Sequence, residues 1–332
     1  MQSYSKKEAI QKMNRLSTER KPFLFIIDYA QQCSYIEEIN GIDPSVLLYQ
    51  LNGYTNVPTP SFALAEKTIT ETIIWEPCAH SFIEYKRSFD TVQQHILSGN
   101  SFLTNLTCIT PIHTNLSIKE IFHRSRALYK LWLKEQFVVF SPEIFIRIHQ
   151  GRISSYPMKG TIDATLPAAD QLLMNDEKEA AEHATIVDLI RNDLSMVASE
   201  VHVARYRYID SITTNHGPIL QTSSEITGTL PDDYASRLGE IVFTLLPAGS
   251  ITGAPKEKTK EIIAQAETYD RGFYTGITGY FDGVNLDSAV MIRFIEQSDN
   301  QLFFKSGGGI TCKSCAENEY NEMKQKVYVP IY

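Results

Sequence analysis

Three short apolar runs, QFVVF, EIFIRIHQ and GRISSYP, follow one another between Gln136 and Pro157 with no helical segment between them. Runs this close together read as successive hairpin strands. The pattern recurs. VHVARYRYIDSI is followed within a few residues by ILQTSSEITGTL, and YTGITGYFD, SAVMIRFIEQ and QLFFKSGGGIT return to strands near the end. Strands outnumber helices and arrive in clusters. The chain is therefore expected to be α+β with antiparallel or mixed sheets, and not a doubly wound parallel sheet.

The remaining elements fill in around this frame. KPFLFIIDYA (21–30), SVLLYQLNGYTN and SFLTNLTCITPIH read as further strands. Residues 5–16 form a short helix. SFDTVQQHILSGN is a helix that Ser88 or Asp90 can cap, with Val92, Ile96 and Leu97 as its apolar stripe and Gly99 as its stop. SIKEIFHRSRALYKLWLK reads as one helix, as do DEKEAAEHATIVDLIRNDLSMVA, ASRLGEIVFTLL, KEKTKEIIAQAET and AENEYNEMKQKV. The mixed stretch 59–73 shows no clear period. No repeat or low-complexity linker divides the 332 residues, so one domain spanning 1–332 is expected.

A net charge of −8 without a dense Lys/Arg run argues against a nucleic-acid surface. Apolar stretches such as FLFII and FVVF are too short to cross a bilayer. The charged start, MQSYSKKEAIQKMNRLSTERK, has no apolar signal core, so a cytoplasmic protein is expected. Five cysteines, an odd number mostly in or beside apolar or mixed segments, read as buried free thiols. Cys312 and Cys315 make a CxxC without the second pair that a zinc site needs.

Two helices carry paired carboxylates. In the long one, Ile186, Leu189, Ile190, Leu194 and Val197 form the buried stripe, and Glu182 lies four residues before Ile186 on the same line. Glu179 sits one turn earlier. In the last helix, Glu319, Glu322 and Lys326 run beside a stripe of Ala316, Tyr320, Met323 and Val327. Each pair reads as a solvated, salt-bridged face. Alternatively the pairs face each other, and four repelling carboxylates then need a hard cation, Mg²⁺ rather than zinc.

Gly307, Gly308 and Gly309 follow a strand and allow close backbone approach to an anion, or make a bulge. LPAGSITGAPK is a second glycine-rich turn opening a helix, with the wrong spacing for a P-loop. Arg293, in an apolar strand, calls for a carboxylate, internal or from a ligand. Lys159, in YPMKG after the strand RISS, is either a solvated turn lysine or an inward nucleophile.

Taken in order, GNSFLTNLT, SPEIF, YPMKGT, AEHATIVDLIRNDL, LLPAGSITGAPK, RGFYTGITGYFD, AVMIRF and SGGGIT with ENEYNEMKQK resemble the chorismate-utilising enzymes over about Phe82 to Val327. That family includes component I of the anthranilate and aminodeoxychorismate synthases, and the isochorismate and salicylate synthases. The resemblance implies two large packed, mainly antiparallel sheets flanked by helices, and a Mg²⁺–chorismate pocket. It implies that Glu182 and Glu322 bind the metal and that Glu179 and Glu319 hold its water. It places Arg293, Tyr274, Thr252, Lys326 and the Gly307–Gly309 backbone around the substrate, and Glu143 as a general acid at the C4 hydroxyl. Where the water-using members carry a lysine, this chain has Leu103. In the YPMKGT segment the chain carries Lys159, like the aminodeoxychorismate synthases and unlike the alanine of anthranilate synthases.

The resemblance thus implies amination of chorismate at C4 through a covalent Lys159 adduct, for 4-aminobenzoate and folate, with ammonia from a separate glutamine amidotransferase. The alternatives are an anthranilate synthase component I and a non-catalytic chorismate-binding subunit. The chain departs from the family in a shortened N-terminal region (1–80), in Leu103, and in Gln221 where relatives have histidine, with His216 nearby but off register.

Overall fold

The computed structural model describes residues 1–58, 72–214 and 217–330. Most of the unassigned stretch 59–73 lies outside them, as does His216. Among the described residues, two sheets of ten and nine strands carry the fold, and every strand pairing is antiparallel. This is the expected α+β class.

The strand Phe23–Ile27 shows why the sheets stack. All five residues are apolar and buried. Phe23, Phe25 and Ile27 point into one core with Ala9, Met13 and Leu16 of the helix Lys6–Thr18 and with Ile186, Ile190 and Leu194 of the helix Glu177–Ser195. Leu24 and Ile26 point the other way, into a second core shared with Leu131, Phe137, Val139 and Phe294 of the second sheet. A strand covered on both faces needs a continuous apolar run. The far face of the second sheet is covered by the helix Ile118–Arg124, and the Gly-containing end by the helices Phe82–Leu97, Lys256–Ala266 and Ala316–Gln325. No helix among the described residues is long and apolar enough to cross a membrane.

Several elements differ from the sequence expectation. The helix capped at Ser88 or Asp90 begins at Phe82, where Ser81 and Glu84 form a capping box, and Leu97 is 71% exposed rather than part of the stripe. SIKEIFHRSRALYKLWLK is not one helix. It ends at Arg124, and Tyr129–Leu133 is a strand buried between Phe137–Ser141 and Leu47–Leu51. Pairing on both edges overrides helical periodicity here. Lys130 of that strand places its ammonium on the Phe122 and Ser125 carbonyls at the helix end, and burial pushes its pKa down to about 8. The three glycines do not follow a strand but continue one, Gln301–Ile310. Of the cysteines, all free, only Cys108 is buried, while Cys78, Cys312 and Cys315 are exposed.

The segment SAVMIRFIEQ also departs from expectation, and this departure builds the site. Its first part, within Leu286–Val290, belongs to the first sheet, and Phe294–Ser298 belongs to the second. Arg293 sits in the crossover with φ 54°, a left-handed conformation unusual for a side chain this size. Its neighbours Phe137–Ser141 and Ile144–His149 cross between the sheets at the same level. Val290 N donates to Glu143 O at 3.1 Å, and Phe140 N donates to Arg293 O at 3.1 Å. One two-stranded ribbon thus bends from sheet to sheet, with Glu143 and Arg293 at the bend.

Candidate active site

A cleft of about 1210 Å³ opens beside this bend. Its walls include Lys159, Glu179, Glu182, Arg293, Gly309, Glu319, Glu322 and Lys326. Residues 150 positions apart in sequence therefore share one hollow.

Lys159 lies on a strand, Met158–Asp163, that sequence reasoning read as a turn. Lys159 pairs with Thr222, the register slips between Lys159 and Thr161, and Gly160 takes φ 73° in the bulge. Thr222 Oγ1 donates to the Lys159 carbonyl. The amine reaches Glu182 Oε2 at 3.9 Å, with the two side chains 26% and 16% exposed. Lys159 is therefore a cleft lysine and not a surface charge.

The helix Glu177–Ser195 is capped by Asp176, which accepts from Glu179 N at 2.9 Å. Its buried residues, Ile186, Val187, Ile190 and Leu194, hold it against the first sheet. Glu179 and Glu182 prolong that line at the N-terminal end and border the cleft, one turn apart. On the helix Ala316–Gln325, Glu319 is buried and accepts from Ser314 Oγ at 2.7 Å, while Glu322 pairs with Lys326 at 2.7 Å. Lys326 also donates to Gly307 O at 2.9 Å. Burial pulls the Lys326 ammonium below the ordinary lysine range, and Glu322 opposes this.

The glycine strand forms the floor. A Cβ at Gly307 would collide with the backbone of Leu106 and Thr107 on the neighbouring strand Leu103–Thr114. A Cβ at Gly308 would lie 3.6 Å from Glu319 Oε2, 3.7 Å from Lys326 Nζ and 3.8 Å from Glu322 Oε1. One at Gly309 would lie 3.0 Å from Leu103 Cδ1 and 3.6 Å from Lys159 Nζ. The bare backbone thus lies against the helix that carries Glu319 and Glu322 and beside the lysine, with apolar Leu103 next to it. Four carboxylates, all hard oxygen donors, border one hollow with two lysines between them. Among the described residues no three acidic, histidine or cysteine side chains already converge on one point.

Other expected site residues lie beside or behind the cleft wall. Glu143 lines a smaller adjoining cavity of about 30 Å³, which shares Ile144 with the cleft. Its carboxylate accepts from Ser250 Oγ. Burial raises its pKa above the usual 4.5, and Ser250, Lys159, Arg293 and Lys326 partly offset this. Tyr274 is buried in the inter-sheet core against Phe294 and is not part of the cleft wall. Thr252 is fully buried, with its hydroxyl on Ala248 O at 2.9 Å. Gln221 does line the cleft. Sequence reasoning missed Arg126, Asp210, Ser211, Gln325 and Tyr328, which also line it. The alternation VYVP at the chain's end carried a signal for Tyr328.

Behind the site, Arg271 and Glu267 form a bidentate ion pair at 2.6 and 2.8 Å, each side chain 2% exposed. Arg271 also donates to Asn105 O at 2.7 Å and Ile251 O at 3.0 Å, tying the FLTNLT strand to the GSITG turn. Arg271→Met should leave Glu267 buried and unpaired and lower the unfolding free energy by about 3–5 kcal/mol. Urea denaturation measures this, and a loss below about 1 kcal/mol would contradict it.

An uncharacterized PabA-like protein of Pasteurella multocida is 49% identical over 97% of this chain and 98% of its own. Aminodeoxychorismate synthase component 1 of Bacillus subtilis is 30% identical over 74% of this chain and 54% of its own. The crystal structure of anthranilate synthase component I from Streptococcus pneumoniae superposes with a TM-score of 0.65 at 25% identity, covering 77% of this chain and 59% of that one. The family model for chorismate binding enzymes matches residues 47–331, and the chain belongs to that family.

Proposed function

We propose that the chain aminates chorismate at C4, giving 4-amino-4-deoxychorismate, with Lys159 as nucleophile. The observation that carries this reading is the Lys159 amine opening on the same cleft as both glutamate pairs, Arg293 and Lys326. Chorismate is a dianion, and the cleft offers cations for its carboxylates. The Lys159 lone pair adds at C2, the two conjugated ring double bonds shift toward C4, and the C4–O bond breaks. Glu143 gives its proton to the departing hydroxyl, which leaves as water. Ammonia then adds at C4, both double bonds return, and the lysine is expelled. Leu103, beside Gly309, offers no base to activate water.

The donor set fits a Mg²⁺ ion, because all four side chains are carboxylates and the glycine backbone leaves room beside Glu319 and Glu322. Glu182 and Glu322 would bind it directly, and Glu179 and Glu319 would hold its water. Bound there, it neutralises a substrate carboxylate and steadies the ring. Ammonia is supplied by a separate glutamine amidotransferase.

The test uses purified protein, chorismate, a magnesium salt and an ammonium salt. The reading expects a product that yields 4-aminobenzoate only after an aminodeoxychorismate lyase is added. Anthranilate fluorescence without the lyase would establish the other regiochemistry, to which the likeness to the S. pneumoniae enzyme points. No turnover at all would favour a binding subunit.

The pH dependence has a definite sign. The acid form of Glu143 is the active one, and burial keeps that form present to higher pH than for an ordinary glutamate. kcat/KM should therefore fall as pH rises through a value above 4.5, and Glu143→Gln should remove that limb along with most of the activity. A limb at the ordinary carboxylate position would count against Glu143 as the acid.

A further inference from the structure

Burial alternates along the segment Val327–Pro330. Val327 and Val329 pack into the apolar cluster of Ile118, Phe122, Trp132 and Ile295, and Tyr328 and Pro330 border the cleft. Arg126 N donates to Pro330 O at 3.0 Å, and Trp75 Nε1 donates to Val327 O at 3.4 Å. The segment is thus anchored at both ends, and its tyrosine is presented to the cleft by packing rather than by chance.

The Tyr328 ring faces Arg293, whose guanidinium carbon lies 5.4 Å from the ring centroid. Arg293 emerges from the crossover between the sheets on a long side chain with several rotatable bonds. To bind a carboxylate through two parallel N–H bonds, its plane must be held and its N–H edge left open. An aromatic face over a guanidinium does both, because it covers the plane and leaves the edge. Two residues away, Lys326 is fixed on Gly307 O and Glu322, so the same turn of chain sets both cations.

We propose that Tyr328 is a positioning residue, whose ring holds the Arg293 guanidinium ready for a carboxylate of the bound substrate. This rests on the reading of the cleft as a site for a dianionic ring compound, and it names the element of this chain that sets the orientation of one anion-binding group.

Steady-state kinetics with chorismate, magnesium chloride and ammonium chloride test it. Tyr328→Ala and Tyr328→Leu should each raise KM for chorismate by about tenfold, with kcat changed by less than about threefold. Tyr328→Phe, which keeps the ring face, should restore the parent KM. In an Arg293→Ala background, Tyr328→Leu should add nothing further, since the ring acts through the arginine. A leucine variant with the parent KM would show that bulk suffices, and an undiminished effect in the Arg293→Ala background would show that the ring acts on something else; either overturns the proposal. Arg293→Ala leaving KM unchanged would sink the carboxylate site itself, whatever Tyr328 does. Melting temperatures of the variants near that of the parent confirm that each is folded.

Discussion

Lys159→Ala is expected to lower the rate of C4 amination by about three orders of magnitude, on the order of 4 kcal/mol of transition-state stabilisation, while chorismate still binds. The two effects separate because the proposed roles separate. Arg293, Lys326 and the glycine strand lie on the cleft independently of the lysine side chain. The amine alone supplies the electron pair that splits one difficult displacement into two easier ones. Its position follows from a bulge at Gly160 and from the Thr222 hydroxyl on its carbonyl, so alanine should change the chemistry without moving the strand. Single-turnover amination and chorismate titration by calorimetry measure the two quantities. A variant as active as the parent would end the nucleophile assignment. A variant that no longer binds would assign Lys159 to binding instead.

Glu322→Gln should be nearly as damaging, lowering turnover at least about a hundredfold and moving the Mg²⁺ titration to higher concentration. The amide keeps the shape but loses the charge. Glu322 sits beside Lys326 at 2.7 Å and close to the bare Gly308 backbone, where removing one negative charge leaves the lysine without its partner and the carboxylate set one donor short. The Mg²⁺ dependence of the melting temperature reads metal binding apart from catalysis, because a ligand that binds only the folded state stabilises it in proportion to the logarithm of its concentration. An unchanged metal titration with unchanged activity would remove Glu322 from the metal set. Together with Lys159→Ala, this variant separates loss of the nucleophile from loss of the anion clamp.

The apolar stripes were readable because periodicity records burial on one side. Ile186, Ile190 and Leu194 marked the buried face of one helix, and Glu182 fell on the cleft in line with them. Where an element is covered on both sides, periodicity vanishes and the reading fails. Tyr129–Leu133 reads as helix because it is buried throughout, and SAVMIRFIEQ reads as one strand because buried residues stand on both sides of the crossover at Arg293. Tyr274 and Thr252 show the complementary limit: a polar group in a motif can equally well be buried in the scaffold behind the cleft.

The amino-acid sequence by itself determined the class of fold, the helices that carry the glutamate pairs, and the strand that leads into Gly307–Gly309, because these depend on local period and spacing. It could not decide that a paired ribbon bends from one sheet to the other at Glu143 and Arg293, or that Glu143 lines a small cavity adjoining the cleft while Tyr328 lines the cleft itself. Those facts depend on which surfaces meet when the two sheets close on each other. Contacts between residues more than a hundred positions apart are fixed by packing, and packing leaves no mark on the neighbours along the chain.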